Sequence, residues 1–222
     1  MIDDVTEEKD LGVIFDPSLK FSLHVGKTSA KANSTLGLLK RNFQHLDEKT
    51  FVLLYKTLVR PRLEYCSSVW NHLLKKDKDR LEKVQRRATK LVKRVSHLNY
   101  TERLKALKIP TLQFRRKRSD MIQVFRIIHK FDNLREQHFF RRSQYNRTRG
   151  HSLKLYKQNC RKTLRKNSFS FRTVTTWNSL PGDAVESTTI NSFKSRLEKW
   201  WKDDPEKHDN PQQPNPQIGT TV

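Results

Sequence analysis

The sequence predicts a mainly α fold: a short β-hairpin, a helical bundle, a small C-terminal helical unit and a disordered tail. Three observations predict it. Apolar residues recur at three- and four-residue spacing in several long segments. Helix start and stop residues punctuate those segments, with Ser22, Asp47 and Thr111 in front and Pro61 and Pro110 as breakers. Strand-like patterning is confined to the first 21 residues. The resulting units are 1–21 for the hairpin, 22–132 for the bundle, 133–167 for a basic irregular linker, 168–201 for the C-terminal unit and 202–222 for the tail.

The hairpin is read from the apolar run Leu11-Gly12-Val13-Ile14-Phe15, the turn Asp16-Pro17-Ser18, and Leu19 and Phe21 alternating with polar neighbours. Ser22 then caps a helix reaching about Phe43, with Val25, Ala32, Leu36, Leu39 and Phe43 in one stripe and Lys27 and Lys31 facing away. Asp47 caps a second helix, and Leu46 and Phe51 form a hydrophobic staple across the cap. Phe51, Leu54, Tyr55 and Leu58 continue its core face. Pro61 lacks a backbone donor and is expected to kink or break the helix. A further helical piece carries Leu63, Tyr65, Cys66, Val69 and Trp70. Cys66 reads as a small core residue.

The clearest amphipathic helix follows, from about Asp77 to Val95. Leu81, Val84, Ala88, Leu91, Val92 and Val95 form one side; Lys83, Arg86, Arg87, Lys90, Lys93 and Arg94 form the other. Residues 75–95 hold ten basic and three acidic side chains, a net of +7. A short helix over Thr101–Leu107 precedes Pro110. Thr111 caps a long helix to about Phe131, with Phe114, Met121, Val124, Phe125, Ile128 and Phe131 inward and Arg115, Arg116, Arg126 and Lys130 opposite. In the last unit Phe169, Phe171, Val174 and Trp177 lead to a turn at Leu180-Pro181-Gly182, and Ile190, Phe193, Leu197 and Trp200 mark the core face of a final helix.

Function begins with charge. The formal net charge is +23 among 222 residues, with 34% hydrophobic content. That balance selects a polyanionic partner: DNA, RNA or an anionic surface. The exposed cations predicted on the Asp77–Val95 helix could track successive phosphates, releasing counterions. Arg115-Arg116-Lys117-Arg118 is also a candidate nuclear-import patch within an intracellular protein. Tyr65, Trp70 and Trp177 are candidate base-stacking rings, with core packing the blander expectation. Other classes find little support. No apolar run reaches the roughly 18 residues of a membrane span. The eight histidines and two cysteines make no pair at metal-ligand spacing, and six scattered glycines make no phosphate loop. No small-molecule substrate or disulfide framework is indicated. The sequons at Asn33, Asn99 and Asn146 follow no signal sequence and read as chance. Asp3-Asp4 superficially matches a two-metal carboxylate pair, but nothing in front of it builds the hairpin such a pair needs.

An ordered set of segments carries a resemblance. It comprises Lys9-Asp10-Leu11-Gly12-Val13 with Asp16 and Leu19, then Leu36-Gly37-Leu38-Leu39, then Leu54-Tyr55-Lys56-Thr57-Leu58-Val59-Arg60-Pro61-Arg62-Leu63-Glu64-Tyr65-Cys66. Leu81-Glu82-Lys83-Val84-Gln85-Arg86-Arg87-Ala88-Thr89, Tyr100-Thr101-Glu102-Arg103-Leu104, Arg172, Trp177-Asn178-Ser179-Leu180-Pro181 and Phe193-Lys194 complete it. Over about residues 8–201 the chain resembles the C-terminal part of the reverse transcriptase of non-LTR retrotransposons, the jockey-like and chicken-repeat-like long interspersed elements. The resemblance implies that Leu11 and Gly12 lie in a primer-grip-like hairpin at the end of the palm, and that residues 22–132 form a thumb-like helical domain. It also implies a template–primer duplex of RNA, DNA or both as partner.

The nucleic-acid-binding residues expected are Lys83, Arg86, Arg87, Lys90, Lys93, Arg94, Arg115 and Arg116. In that family the catalytic aspartates lie upstream of the Asp-Leu-Gly stretch, and magnesium belongs to the full-length enzyme. The expectation is therefore a truncated reverse-transcriptase fragment that binds the nucleic-acid backbone, needs no cofactor and is no enzyme by itself. Two alternatives stand beside it: a degenerate relic or basic interaction protein without selected activity, and part of an RNA-directed DNA polymerase whose palm lies upstream.

Overall fold

A computed structural model describes residues 5–71, 74–143 and 150–203. Asp3-Asp4, the sequon at Asn146 and residues 204–222 of the expected tail lie outside these residues, while residues 202 and 203 belong to the last helix and not to the tail. The chain is mainly helical with one antiparallel hairpin at its N-terminal end.

Strand β1 (Glu8–Asp10) pairs with β2 (Val13–Phe15), with Lys9 opposite Ile14. The hairpin turn is Leu11-Gly12, both at positive φ (43° and 86°), the geometry of a tight two-residue loop. This corrects the expected pairing, in which Leu11 began a strand and Asp16-Pro17-Ser18 made the reversal. Asp16 instead accepts backbone hydrogen bonds from Ser18, Lys20 and Phe21 and steers the chain into the next helix.

Helix α1 (Ser22–Asn42) starts after Phe21, which is buried at φ 56°. Ser22 is thus the first helical residue and not the cap; its hydroxyl donates to Asp77 at 2.6 Å. Val25, Ala32, Leu36 and Leu39 are buried as expected, while Phe43 ends the helix exposed. Asp47 does cap α2 (Glu48–Leu54), accepting from the amides of Lys49 and Thr50. Leu46 and Phe51 both enter the core cluster.

Pro61 does not end its helix at that point. A π-helical turn over Tyr55–Val59 runs directly into α3 (Arg60–Glu64), where Pro61 occupies the first turn. Pro61 offers no backbone donor, and the wider turn before it gives its ring room. The break comes later, at Tyr65-Cys66. Cys66 has φ 53° and caps α4 (Ser67–Trp70), so the reversal turns its thiol outward and it is exposed, not core. Leu58, Tyr65 and Val69 are exposed as well, while Leu63 and Trp70 are fully buried.

Helix α5 (Lys75–Thr89) stops six residues short of the expected Val95. The Thr89 hydroxyl donates to the Arg86 carbonyl and accepts from the buried Arg103 side chain. Val92 is extended, and a 3-10 turn over Lys93–Val95 folds Val92 and Val95 into the core. Helix α6 (Tyr100–Leu107) follows, then α7 (Leu112–Ile128), capped by Thr111 through the Phe114 amide. After a 3-10 turn at Glu136–His138, Phe140 and Leu155 of the linker pack into the second core. Short helices α8 (Thr163–Asn167), α9 (Phe169–Arg172), α10 (Val174–Asn178) and α11 (Gly182–Val185) lead to α12 (Ile190–Asp203). Trp201, and not Trp200, is the buried ring of α12, because Phe114 meets it edge-on at 5.2 Å.

Two apolar clusters result. The first joins the hairpin to α1–α6; the second joins the C-terminal half of α7 to residues 139–201. Helix α7 serves both, with Leu112 in the first and Met121, Val124, Phe125, Ile127 and Ile128 in the second. Phe131 is left exposed beyond its end.

Candidate nucleic-acid interface

Helices α1 and α5 pack side by side and run in the same direction. Three contacts fix their register: Ser22 with Asp77, Gly26 with Arg80 and Asn33 with Arg87. A Cβ on Gly26 would stand 3.0 Å from an Arg80 guanidinium nitrogen, and Arg87 donates to Asn33 Oδ1 at 3.2 Å. The α1 side of this seam carries little bulk: Gly26, Ala30 and Gly37, with nothing within 4 Å of a Cβ built on Gly37.

The α5 side is cationic. Lys76, Arg80, Lys83, Arg87 and Lys90 are exposed at alternating four- and three-residue steps, which puts them on one stripe. From Lys76 to Lys90 the stripe spans roughly 21 Å at 1.5 Å per residue, about six nucleotide steps of a duplex strand. The stripe and the shallow seam beside it form a trough suited to one phosphate backbone.

The expected site residues divide. Lys83, Arg87 and Lys90 lie on the stripe. Arg86 is exposed but turns to the other flank, its guanidinium 4.7 Å from the centre of the Tyr100 ring. Lys93 and Arg94 are past the end of α5, so they do not continue its face. They line a cleft of about 510 Å³ with His45, Lys49, Asp47 and Glu48. Arg94 lies 3.6 Å from Glu48, and Lys93 Nζ lies 3.4 Å from His45 Nδ1. Mixed charge makes that cleft a poorer phosphate site than the stripe.

Arg115 and Arg116 lie off the stripe and are engaged by protein partners. Arg115 makes a two-pronged pair with Glu64, both contacts at 2.8 Å, and this partner strengthens its hold on its proton. Arg116 is buried and donates to Asn71 Oδ1 at 2.9 Å; burial lowers its pKa against the pull of Glu82, Glu64 and Asp120. Arg118 pairs with Glu198 at 2.7 Å. Three guanidinium groups of the candidate import patch are therefore engaged.

Behind the stripe, α5 is held by buried polar groups. Tyr55 donates to Gln85 at 2.5 Å, and Gln85 donates to Tyr100 and to the Pro110 carbonyl. Glu82 accepts from Tyr100 and from the Leu112 amide. Burial raises the Glu82 pKa, and these donors oppose that rise. The network locks the inner face of α5 and leaves the outer face to the cations.

The hairpin tip is braced by the Tyr65 hydroxyl, which donates to the Leu11 carbonyl at 2.9 Å, while the Tyr65 ring edge is 3.4 Å from a Cβ built on Gly12. Leu11 itself is 83% exposed. Of the three candidate stacking rings, Trp70 and Trp177 are fully buried and only Tyr65 is open. An apolar cleft of about 570 Å³ lies between the hairpin and residues 134–169, with Leu19, Val69 and Phe169 in its wall; its lining has no basic side chain. Among the described residues no three His, Cys, Asp or Glu side chains gather as a metal ion would require, and no helix is long and apolar enough to cross a membrane.

Lys76 and Arg80 extend the stripe beyond the residues expected from the sequence. Their spacing from Lys83 and Arg87 was the available signal; a count begun at Leu81 passed over it. Comparison with family models, with curated proteins and with solved structures returned no match.

Proposed function

We propose that this chain holds the sugar-phosphate backbone of a nucleic-acid duplex along the α1–α5 trough, without catalysing a reaction itself. The observation that carries the reading is the five-cation stripe from Lys76 to Lys90, exposed beside a row of small residues. A net charge of +23 supports a polyanionic partner. The ordered segments that resemble a retrotransposon reverse transcriptase favour a template–primer duplex of RNA, DNA or both. Contacts of this kind tolerate any sequence, because phosphates carry no base identity.

The test removes four charges from the stripe: Arg80→Ala, Lys83→Ala, Arg87→Ala and Lys90→Ala together. A control variant loses four exposed lysines elsewhere, Lys105, Lys108, Lys199 and Lys202. The stripe variant should lose duplex affinity and flatten the slope of log affinity against log salt by about 3 to 4, at about 0.9 per phosphate contact. The control should change that slope less. Equal losses in both would reduce the effect to net charge and remove the trough. Wild-type retention on anionic vesicles matching that on duplex would reassign the face to a membrane surface.

A further inference from the structure

Between Glu136 and Asp183 the sequence contains no aspartate or glutamate, but eleven arginines and lysines. The described residues of this stretch lie outside the α1–α5 trough. We infer that the segment around Tyr156, with Arg141 and the cations from Lys157 to Lys166, is a second nucleic-acid contact, one that takes an unpaired base against Tyr156 and the flanking phosphates on those cations.

The segment around Tyr156 is fixed in place. Leu155 is buried, and the Asn178 side chain bonds it on both sides, accepting from its amide and donating to its carbonyl, each at 2.8 Å. Trp177 donates to the Leu153 carbonyl at 2.9 Å, and the buried His151 ring lies 3.1 Å from the Trp177 carbonyl. Opposite, Arg142 pairs with Leu155 in a short antiparallel bridge, and the Tyr156 amide donates to the Arg141 carbonyl at 2.7 Å. In this extended segment side chains alternate. Leu155 points in and Tyr156 points out, 46% exposed.

A large ring on a pinned segment is a stacking platform that loses little entropy when used. Arg141 stands 5.7 Å from the ring centre, and Tyr156 shares a small cleft with Arg141, Lys157, Arg165 and Phe171. Lys157, Arg161, Lys162, Arg165 and Lys166 are exposed or nearly so, and none forms an ion pair among the described residues. The contrast with α7, where Arg115, Arg118 and Arg126 each meet a carboxylate, is sharp. Phosphates alone need no ring, and bases inside a duplex already stack on one another. Cations around an exposed aromatic therefore favour a single strand.

The experiment compares three ligands on the full chain: oligothymidylate, an abasic oligomer of the same length and a duplex. Tyr156→Ala should weaken oligothymidylate binding about tenfold or more and leave the abasic oligomer and the duplex unchanged. Tyr156→Trp should retain binding, and its added fluorescence should change when oligothymidylate binds. An equal loss on the abasic oligomer, no loss at all, or no fluorescence response in Tyr156→Trp would overturn the inference; the last readout stands even if Tyr156→Ala fails to fold. The α5 stripe variant should keep the preference for oligothymidylate over the abasic oligomer, so the two surfaces fail separately.

Discussion

His24 accepts the Ile14 amide at Nδ1 (3.3 Å) and so ties the hairpin to α1. Burial, helped by Lys31, lowers its pKa below the ordinary 6.5. A proton on Nδ1 would meet the Ile14 N–H head-on. The sign follows: with the folded pKa depressed, the stabilisation is present above about pH 6.5 and is lost as pH falls through the folded value. His151, lowered by burial despite the Trp177 carbonyl, acts in the same direction. The protein should therefore unfold at lower urea at pH 5 than at pH 7.5, and His24→Gln should flatten that difference; an unchanged difference would exclude His24 as a cause. Arg115 and Arg116 carry another lesson at this scale. They are adjacent and chemically alike, and the sequence placed both on the polar side of α7. A 100° step separates them on the helix, and only one of the two turns reached a surface carboxylate, Glu64, while the other was buried against Asn71. Those partners lie about fifty residues away, beyond any local pattern.

Two helix starts fell where the sequence put them, and the end of the basic helix did not. Asp47 and Thr111 cap their helices because capping needs only a side-chain oxygen and an amide two or three residues on. Asn99 and Glu102 form a reciprocal capping box on the eight-residue α6, both bonds at 3.0 Å. Asn99→Ala should cost about 1 kcal/mol, read as a lower urea midpoint; a change near zero would mean α6 is held by packing alone. The end of α5 had no such signal. Apolar spacing continued to Val95, but Thr89 is taken by Arg103 from another helix, and the last cations leave the stripe. The π-turn before Pro61 was equally hidden, since it is a compromise between the proline ring and the buried positions of Tyr55, Val59 and Leu63.

At the scale of the molecule, one ion pair ties the two apolar clusters together. Arg172 of α9 meets both oxygens of Asp120 on α7, at 2.9 and 3.0 Å, and donates to the Ser68 carbonyl on α4. Burial raises the Asp120 pKa, and Arg172 is the chief opposing influence. Arg172→Met would strand a buried carboxylate and should cost about 3 to 5 kcal/mol. The loss should ease as pH falls and Asp120 takes up a proton. Asp120→Leu with Arg172→Met should cost less than Arg172→Met alone; equal urea midpoints would deny the pair its role. By itself the sequence determined the helical class, most core faces, the capped starts of α2 and α7 and the total positive charge, because each depends on composition, spacing or neighbours within a turn. Only the tertiary structure decided which cations are taken up by carboxylates, which of Trp200 and Trp201 is buried and where the basic helix stops. Each of those outcomes depends on a partner brought from a distant part of the chain: a carboxylate for Arg115, a ring for Trp201, a guanidinium for Thr89.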